Sequence, residues 1–321
     1  MSSDLWVITC YFNPCRYKTK RANFDAFMAG MEESGANVLV VELAFADEEF
    51  ELPKAKNVLR LRGSGLMWQK ERLLNIAAAT LPASCTKIAW LDNDILFDNP
   101  NWVEESSKAL DEYVVIQPFD WCVRLPRGAT KFDGRGDTYE SYASLFMTDP
   151  RTAQAGEFHE HGHTGFAWAA RRELFEHCGL YDACLTGSGD HLMAHGFAGG
   201  MKLSPCLSRV IGRQPKYAQH FVNWGVKARD LVKGRIGAVP GNLLHLWHGD
   251  LVDRRYSDMN QQFKEFDFDP DKHLKLDENG LWEWGDAPEA MKEWASTFFW
   301  IRREDGDPDA PLQQQKLAKS A

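Results

Sequence analysis

Lys87-Ile-Ala-Trp-Leu91 runs straight into Asp92-Asn-Asp94. A short, almost wholly apolar run bounded by polar residues reads as a buried strand of a parallel sheet. The two acids then fall at its carboxyl end, the edge where open α/β sheets bind ligands. Alternate residues of an extended chain face the same way, so Asp92 and Asp94 are expected to reach one site. Their hard oxygens suit Mg²⁺ or Mn²⁺, ions that bridge diphosphates. The competing reading is a strand end followed by an Asp-rich turn. An Asp-x-Asp pair is a weak motif by itself, and the apolar strand before it tips the balance toward function. A calcium loop is excluded, because Ile95 and Leu96 follow without the Gly and closing Glu it needs.

Outward from this point the pattern alternates. Leu5 to Thr9, Val38 to Val41 and Val58 to Leu61 read as strands. Phe24, Phe27, Met28 and Met31 recur at helical spacing and predict a helix over 20–34, ended by Gly35. Residues 67–80 and Trp102 to Leu110 also read as helices, and Val114 to Gln117 as a strand. Strand and helix thus alternate through the first 117 residues, the pattern of a doubly wound parallel sheet. Residues 118–162 and 211–242 read as loops, the first rich in Gly, Asp, Arg and Tyr and expected to serve as a binding loop. Leu243 to His248 reads as a strand, and residues 287–302 as an amphipathic helix packed on the main domain. The expected organisation is a catalytic domain over 1–250, with a nucleotide-binding half (1–117) and an acceptor-binding half (118–250). A C-terminal extension (251–303) and a disordered tail (304–321) follow.

Composition removes several classes. The 321 residues carry a formal charge of −9, against a broad nucleic-acid binder, which shows a basic surplus. The apolar content of 44% supports a sizeable core. Seven cysteines, with no Cys-x-x-Cys pair, read as reduced thiols rather than a disulfide framework. Residues 1–10 do not form a signal peptide, and no apolar stretch approaches the roughly 20 residues of a membrane span. The expected location is cytoplasmic.

Three further motifs need weighing. Gly187-Ser-Gly-Asp190 sets an acid behind small residues that let a ligand approach the backbone, where it would serve as a general base. Read alone, Asp190 is better explained as a helix N-cap ahead of Leu192 and Met193. In His245-Leu-Trp-His248 either imidazole would complete a carboxylate metal site. On an extended chain the two point to opposite faces, so one is expected to bind. His159, His161 and His163 alternate, but no Cys or His at ligand spacing completes a zinc site, and an exposed loop or a loop touching substrate is the better reading. The first strand is followed by Tyr11-Phe-Asn-Pro14, with no Gly-x-Gly-x-x-Gly, against a dinucleotide-dependent oxidoreductase.

The order of these pieces resembles the GT-A superfamily of nucleotide-sugar glycosyltransferases, near its galactosyltransferase and N-acetylgalactosaminyltransferase branches. The resemblance spans residues 5 to about 250. It rests on Tyr11 to Pro14, Glu42 at a strand end, Trp68-Gln-Lys-Glu-Arg-Leu-Leu-Asn75 and Ala89-Trp-Leu-Asp-Asn-Asp-Ile95. Gly165-Phe-Ala-Trp-Ala-Ala-Arg-Arg172, Gly187 to Asp190 and His245 to His248 complete it. It implies an α/β GT-A fold with a mostly parallel central sheet flanked by helices. It further implies a nucleotide-sugar donor, most commonly a UDP-sugar, and an Mn²⁺ or Mg²⁺ cofactor. Asp94 would bind the metal, Asp92 the donor ribose or the metal, and His248 would be a further ligand with His245 as its alternative. Asn13 and Glu42 would lie near the nucleoside, Arg16 at the diphosphate and Trp168 against a sugar ring. Asp190 falls where inverting members carry their base and some retaining members a donor-sugar contact. Related enzymes often have Gly-Gly-Glu-Asp or Gly-Gly-Glu-Asn where this chain has Gly187-Ser-Gly-Asp190, which is compatible with either inversion or retention. The acceptor (a glycan, lipid-linked sugar, protein or modified base) is not legible. The rival readings are a sugar nucleotidyltransferase, a non-catalytic sugar-nucleotide binder and a metal-dependent phosphoester hydrolase.

Overall fold

The computed structural model describes residues 4–306 apart from Leu203. Its strands are β1 (Leu5–Tyr11), β2 (Asn37–Phe45), β3 (Val58–Gly63), β4 (Lys87–Leu91), β5 (Ile95–Phe97), β6 (Val115–Gln117), β7 (Trp121–Arg124), β8 (Asp137–Glu140), β9 (Ala167–Arg171), β10 (Ile236–Ala238), β11 (Asn242–His245), β12 (Leu274–Leu276) and β13 (Trp282–Trp284). Seven of them form the central sheet in the order β10-β6-β9-β4-β1-β2-β3. Only β9 runs antiparallel to its neighbours. This is the mixed α/β architecture with a mostly parallel sheet expected from the first 117 residues.

The sheet is buried on both faces, which is why β4 reads as continuously apolar. Ile88 and Trp90 join the core on one face, with Leu73, Leu74 and Ala77 of helix Lys70–Thr80. Ala89 and Leu91 join the core on the other, with Phe24, Phe27 and Met31 of helix Lys18–Glu33 and Trp102 of helix Trp102–Glu112. The C-terminal helix Glu289–Trp300 adds to the first face, its Phe299 stacked on Trp68 and edge-on to Phe12.

Two segments expected to be loops are structured. Residues 118–162 contain β7, β8 and the helices Tyr142–Thr148 and Pro150–Ala155. Here β7 and β8 join β5 and β11 in a second sheet, β5-β11-β7-β8, so strands too short to show a period gain their partners from far along the chain. Residues 211–242 contain the longest helix, Pro215–Val232, which buries Tyr217, Phe221, Trp224, Ala228 and Val232. Residues 304–306, expected in the tail, are also placed. Asp305 accepts hydrogen bonds from the backbone N–H groups of Lys18 and Thr19, capping that helix. Residues 307–321 lie outside the described residues. No described helix is long and apolar enough to cross a membrane.

Candidate active site

The carboxyl end of β4 opens into a cavity of about 1360 Å³. Asp92, Asp94, Asp190, His245 and His248 all line it. The turn after β4 is pinned from behind. Asn93 donates to the Cys10 carbonyl at 2.8 Å, and the Asp92 N–H donates to the Phe166 carbonyl at 2.7 Å. Phe166 stands at φ +81°, a costly conformation for a bulky residue, and its ring is stacked on His163 and tilted against His245.

Asp94 meets both histidines. β5 pairs with β11 so that Ile95 lies opposite His245, and the Leu246 N–H donates to the Asp94 carbonyl at 2.8 Å. The strand ends at His245, and the chain beyond it turns His248 onto the same side. The expectation that only one imidazole reaches the site fails for this reason, since opposite faces hold only while a chain stays extended. His248 Nε2 lies 3.0 Å from Asp94 Oδ2, His245 Nε2 lies 4.0 Å from Asp94 Oδ1, and the two Nε2 atoms are 3.1 Å apart. One ligand atom from each residue falls within 4.8 Å of the others. Asp94 Oδ1 is buried without a hydrogen bond, and one carboxylate with two imidazoles is a donor set for a divalent first-row ion.

The surroundings of this triad are charged. Burial alone would raise the Asp94 pKa, but His248, His245 and Arg254 outweigh it and hold the carboxyl well below the usual range. Arg254 Nη2 sits 2.6 Å from His248 Nε2, the atom that also faces Asp94. That nitrogen cannot accept from a guanidinium and donate to a carboxylate at once, so the corner holds a cation where a metal ligand needs its lone pair. On its other side His248 Nδ1 lies 3.6 Å from the Glu304 carboxylate, which Arg302 holds at 2.7 Å. A carboxylate behind a histidine fixes its ring and tautomer, as in many metal sites.

Asp92 and Asp190 meet on a different cation. Lys70 Nζ lies 2.9 Å from Asp92 Oδ1 and 2.7 Å from Asp190 Oδ2. Burial pulls the lysine pKa down, but Asp190, Asp92 and Glu71 reverse this and keep it well above its ordinary value. Asp92, offered by sequence as a ribose or metal contact, is therefore ion-paired to Lys70 and stands outside the Asp94 triad. Asp190 is not the N-cap of its helix either. Ser188 holds that position, and Asp190 lies in the first turn of Gly189–Ala198. The small residues before it serve packing, since a Cβ on Gly189 would fall 2.3 Å from Glu71 Oε1 and Gly187 needs φ +70°.

Sequence reasoning passed over Lys70, Arg254, Arg302 and Glu304. Lys70 did carry a signal. It opens a helix, where a positive charge opposes the dipole, so acids from elsewhere must hold it.

Four residues expected at the donor are spent on structure and do not line the cavity. Asn13 donates to the Tyr17 carbonyl and accepts from its N–H, closing its own turn. Arg16 is exposed and paired with Glu51 at 3.0 Å. Glu42 is buried, accepting from the Glu51 and Leu52 N–H groups, with Arg60 at 3.3 Å. Trp168 is in the core and donates to the Thr164 carbonyl.

Glu71 supplies a pH test. Both its oxygens are buried without a hydrogen bond, and Lys70 Nζ is 3.9 Å away. Burial pushes its pKa up to about 8, only partly offset by Lys70. The unfolded chain releases this proton near the ordinary value of 4.5. The group's contribution to stability is therefore full below that value and is lost as pH rises toward 8. Glu71→Gln is expected to be near neutral at pH 5 and to stabilise by about 1–3 kcal/mol at pH 8. Urea unfolding at both pH values measures this, and equal effects at the two would contradict it.

No family model matches the sequence, and no curated protein matches it. Among solved structures, the chain is similar to the catalytic domain of Drosophila β1,4-galactosyltransferase 7 in complex with xylobiose, at 12% identity over 91% of this chain and 98% of that one, with a TM-score of 0.38. It is similar to a glycosyltransferase involved in the glycosylation of the major capsid of PBCV-1, at 12% identity over 80% of this chain and 98% of that one, with a TM-score of 0.33. It is also similar to a Bacillus anthracis protein of proposed glucose-1-phosphate thymidylyltransferase activity, at 7% identity over 74% and 87%, TM-score 0.33. The structures this chain resembles thus include glycosyltransferases and a nucleotidyltransferase, at a distance that leaves the chemistry of the site to its own side chains.

Proposed function

We propose that the cavity binds a nucleotide-sugar, most commonly a UDP-sugar, together with Mn²⁺ or Mg²⁺, and that the protein is a glycosyltransferase of the GT-A type. The observation that carries this reading is the convergence of Asp94, His245 and His248 beside the Lys70-bridged pair Asp92 and Asp190. Asp94, His245 and His248 would hold the ion, which when bound neutralises charge developing on the leaving diphosphate. Asp94, already ionised, supplies the anionic ligand, and Glu304 keeps the His248 ring turned toward it. Arg254, which lies against His248 and lines the cavity, would supply a cation for the diphosphate.

Asp190 is the candidate base, taking the proton of an acceptor hydroxyl as it attacks the sugar carbon. Lys70, 2.7 Å from Asp190 and 2.9 Å from Asp92, fixes its position against Asp92. The acceptor hydroxyl gains the glycosidic bond, the sugar–phosphate bond breaks, and the electron pair leaves with the diphosphate.

Thermal unfolding with a panel of nucleotides and nucleotide-sugars tests the donor site. A ligand that binds only the folded state stabilises it by about 2.7 kcal/mol at a hundred times its Kd. One nucleoside diphosphate family should raise Tm by several degrees in Mn²⁺ and not in EDTA. No metal-dependent shift with any nucleotide would remove the proposal. Stabilisation by a nucleoside triphosphate with a sugar phosphate, in place of the diphosphate, would favour nucleotidyl transfer.

A further inference from the structure

The sequence left His161 in an alternating His159-x-His161-x-His163 run with nothing nearby to complete a metal site. The fold supplies the missing partners. His191 and His195, four residues apart, share one face of helix Gly189–Ala198, and that face packs against His161. The three ring centroids are 4.8 to 5.3 Å apart, and one ligand nitrogen from each residue lies within 4.8 Å of the others. His161 is therefore not on an exposed loop, being only 1% exposed.

The hydrogen bonds sort the nitrogens. His161 Nδ1 lies 2.7 Å from the Gly162 carbonyl, so it carries the proton, and its Nε2 is left with a lone pair and no partner. His195 Nε2 meets Ser204 Oγ at 3.3 Å, while its Nδ1 has no partner. Both nitrogens of His191 are buried without one. A histidine that hands one nitrogen to a backbone carbonyl or hydroxyl and keeps the other bare has the outer-shell arrangement of a metal ligand. A merely aromatic cluster would leave these buried nitrogens unsatisfied, which folded proteins avoid. Burial also keeps all three imidazoles neutral, the form that ligates.

We propose that His161, His191 and His195 form a second metal site, distinct from Asp94, His245 and His248, that takes a zinc-class divalent ion. Three imidazoles form a softer, more nitrogen-rich set than the carboxylate-containing triad and favour Zn²⁺ or Co²⁺ over Mn²⁺ or Mg²⁺. Three protein ligands leave a fourth position for water. The ion would tie the 156–166 segment to the helix that carries Asp190. That segment also presents the Phe166 carbonyl to Asp92, so the ion would brace the cavity wall from both sides. The site stands whether or not the protein transfers sugar.

The test uses the full chain with Asp94→Ala, which disables the other triad, stripped with EDTA and dialysed against Zn²⁺. About one equivalent of zinc per chain is expected by atomic emission, with a zinc-dependent rise in Tm. In Co²⁺ the same protein should show the visible absorption of a low-coordinate nitrogen site. Adding His191→Gln should abolish all three signals. Absence of bound zinc in the Asp94→Ala protein overturns the proposal, with no reliance on how the His191 variant folds. Zinc retained in full after His191→Gln also overturns it, because the ligands would then lie elsewhere.

Discussion

Under the proposed function, Asp94→Ala is expected to lower metal-dependent sugar transfer roughly a thousandfold, because it removes the one anionic member of the Asp94, His245 and His248 triad. A divalent ion contributes several kcal/mol to stabilising a leaving diphosphate, and about 4 kcal/mol corresponds to that factor. The variant also leaves Glu304 as the remaining carboxylate against His248, which lies 2.6 Å from Arg254. Nucleoside diphosphate release from the donor, measured across a range of Mn²⁺ concentrations, checks the prediction. Asp92→Asn is the comparison, because Asp92 faces Lys70 and not the histidines. Saturating Mn²⁺ should not restore the activity of Asp94→Ala, and Mn²⁺ affinity should change far less in Asp92→Asn. Unchanged metal dependence in Asp94→Ala would sink the assignment of the triad.

Lys70→Met is expected to be the most destabilising single change near the cavity. The lysine is the shared cation of Asp92 and Asp190, and its removal leaves both carboxylates, with Glu71 behind them, facing each other unpaired. Breaking a buried pair by deleting one partner costs about 3–5 kcal/mol. The sign with pH follows from the acids. Asp92 is already pushed up to about 6, by burial first and by the neighbouring acids Asp190 and Asp94 second, against the pull of Lys70. Without Lys70 the carboxylates escape the repulsion by taking up protons. The loss should therefore be full at pH 8 and shrink toward pH 5. Urea unfolding at both values measures it. A loss under about 1 kcal/mol at pH 8 would mean that the ion pairs are solvated surface contacts.

Much of this arrangement was legible before any fold was known, and the limits have physical causes. β4 and the acids behind it could be read because a strand buried on both faces leaves an unbroken apolar run, Ile88 to Leu91. Asp94 and one of His245 and His248 could be paired by their residue types, and the resemblance put His248 first. The joint use of both histidines could not, because it depends on where β11 stops. Helix Pro215–Val232 carried a readable stripe at Tyr217, Phe221, Trp224, Ala228 and Val232, hidden by Gly225 and the basic residues between. Asn13, Glu42 and Trp168 are polar or aromatic groups of the kind a donor site needs, but each is held by local backbone hydrogen bonds that no spacing reveals. Lys70 and Asp190 lie 120 residues apart, and Asp94 lies over 150 residues from His245 and His248; single-sequence periodicity carries no information at that range.

The contact between His248 and Glu304 sets a clock on biosynthesis. A chain emerging from the ribosome exposes Asp94 early, with β1 to β4 able to collapse around it, yet the carboxylate behind His248 follows 210 positions later (304 minus 94). At about 5–20 residues per second that interval is roughly 10–40 s. Throughout it the nascent protein carries Asp94 without Glu304, and for most of it without the aromatic helix that packs on Trp68. The cavity is thus among the last features to mature, and a chain stalled at residue 250 would carry both histidines without Arg254 or Glu304.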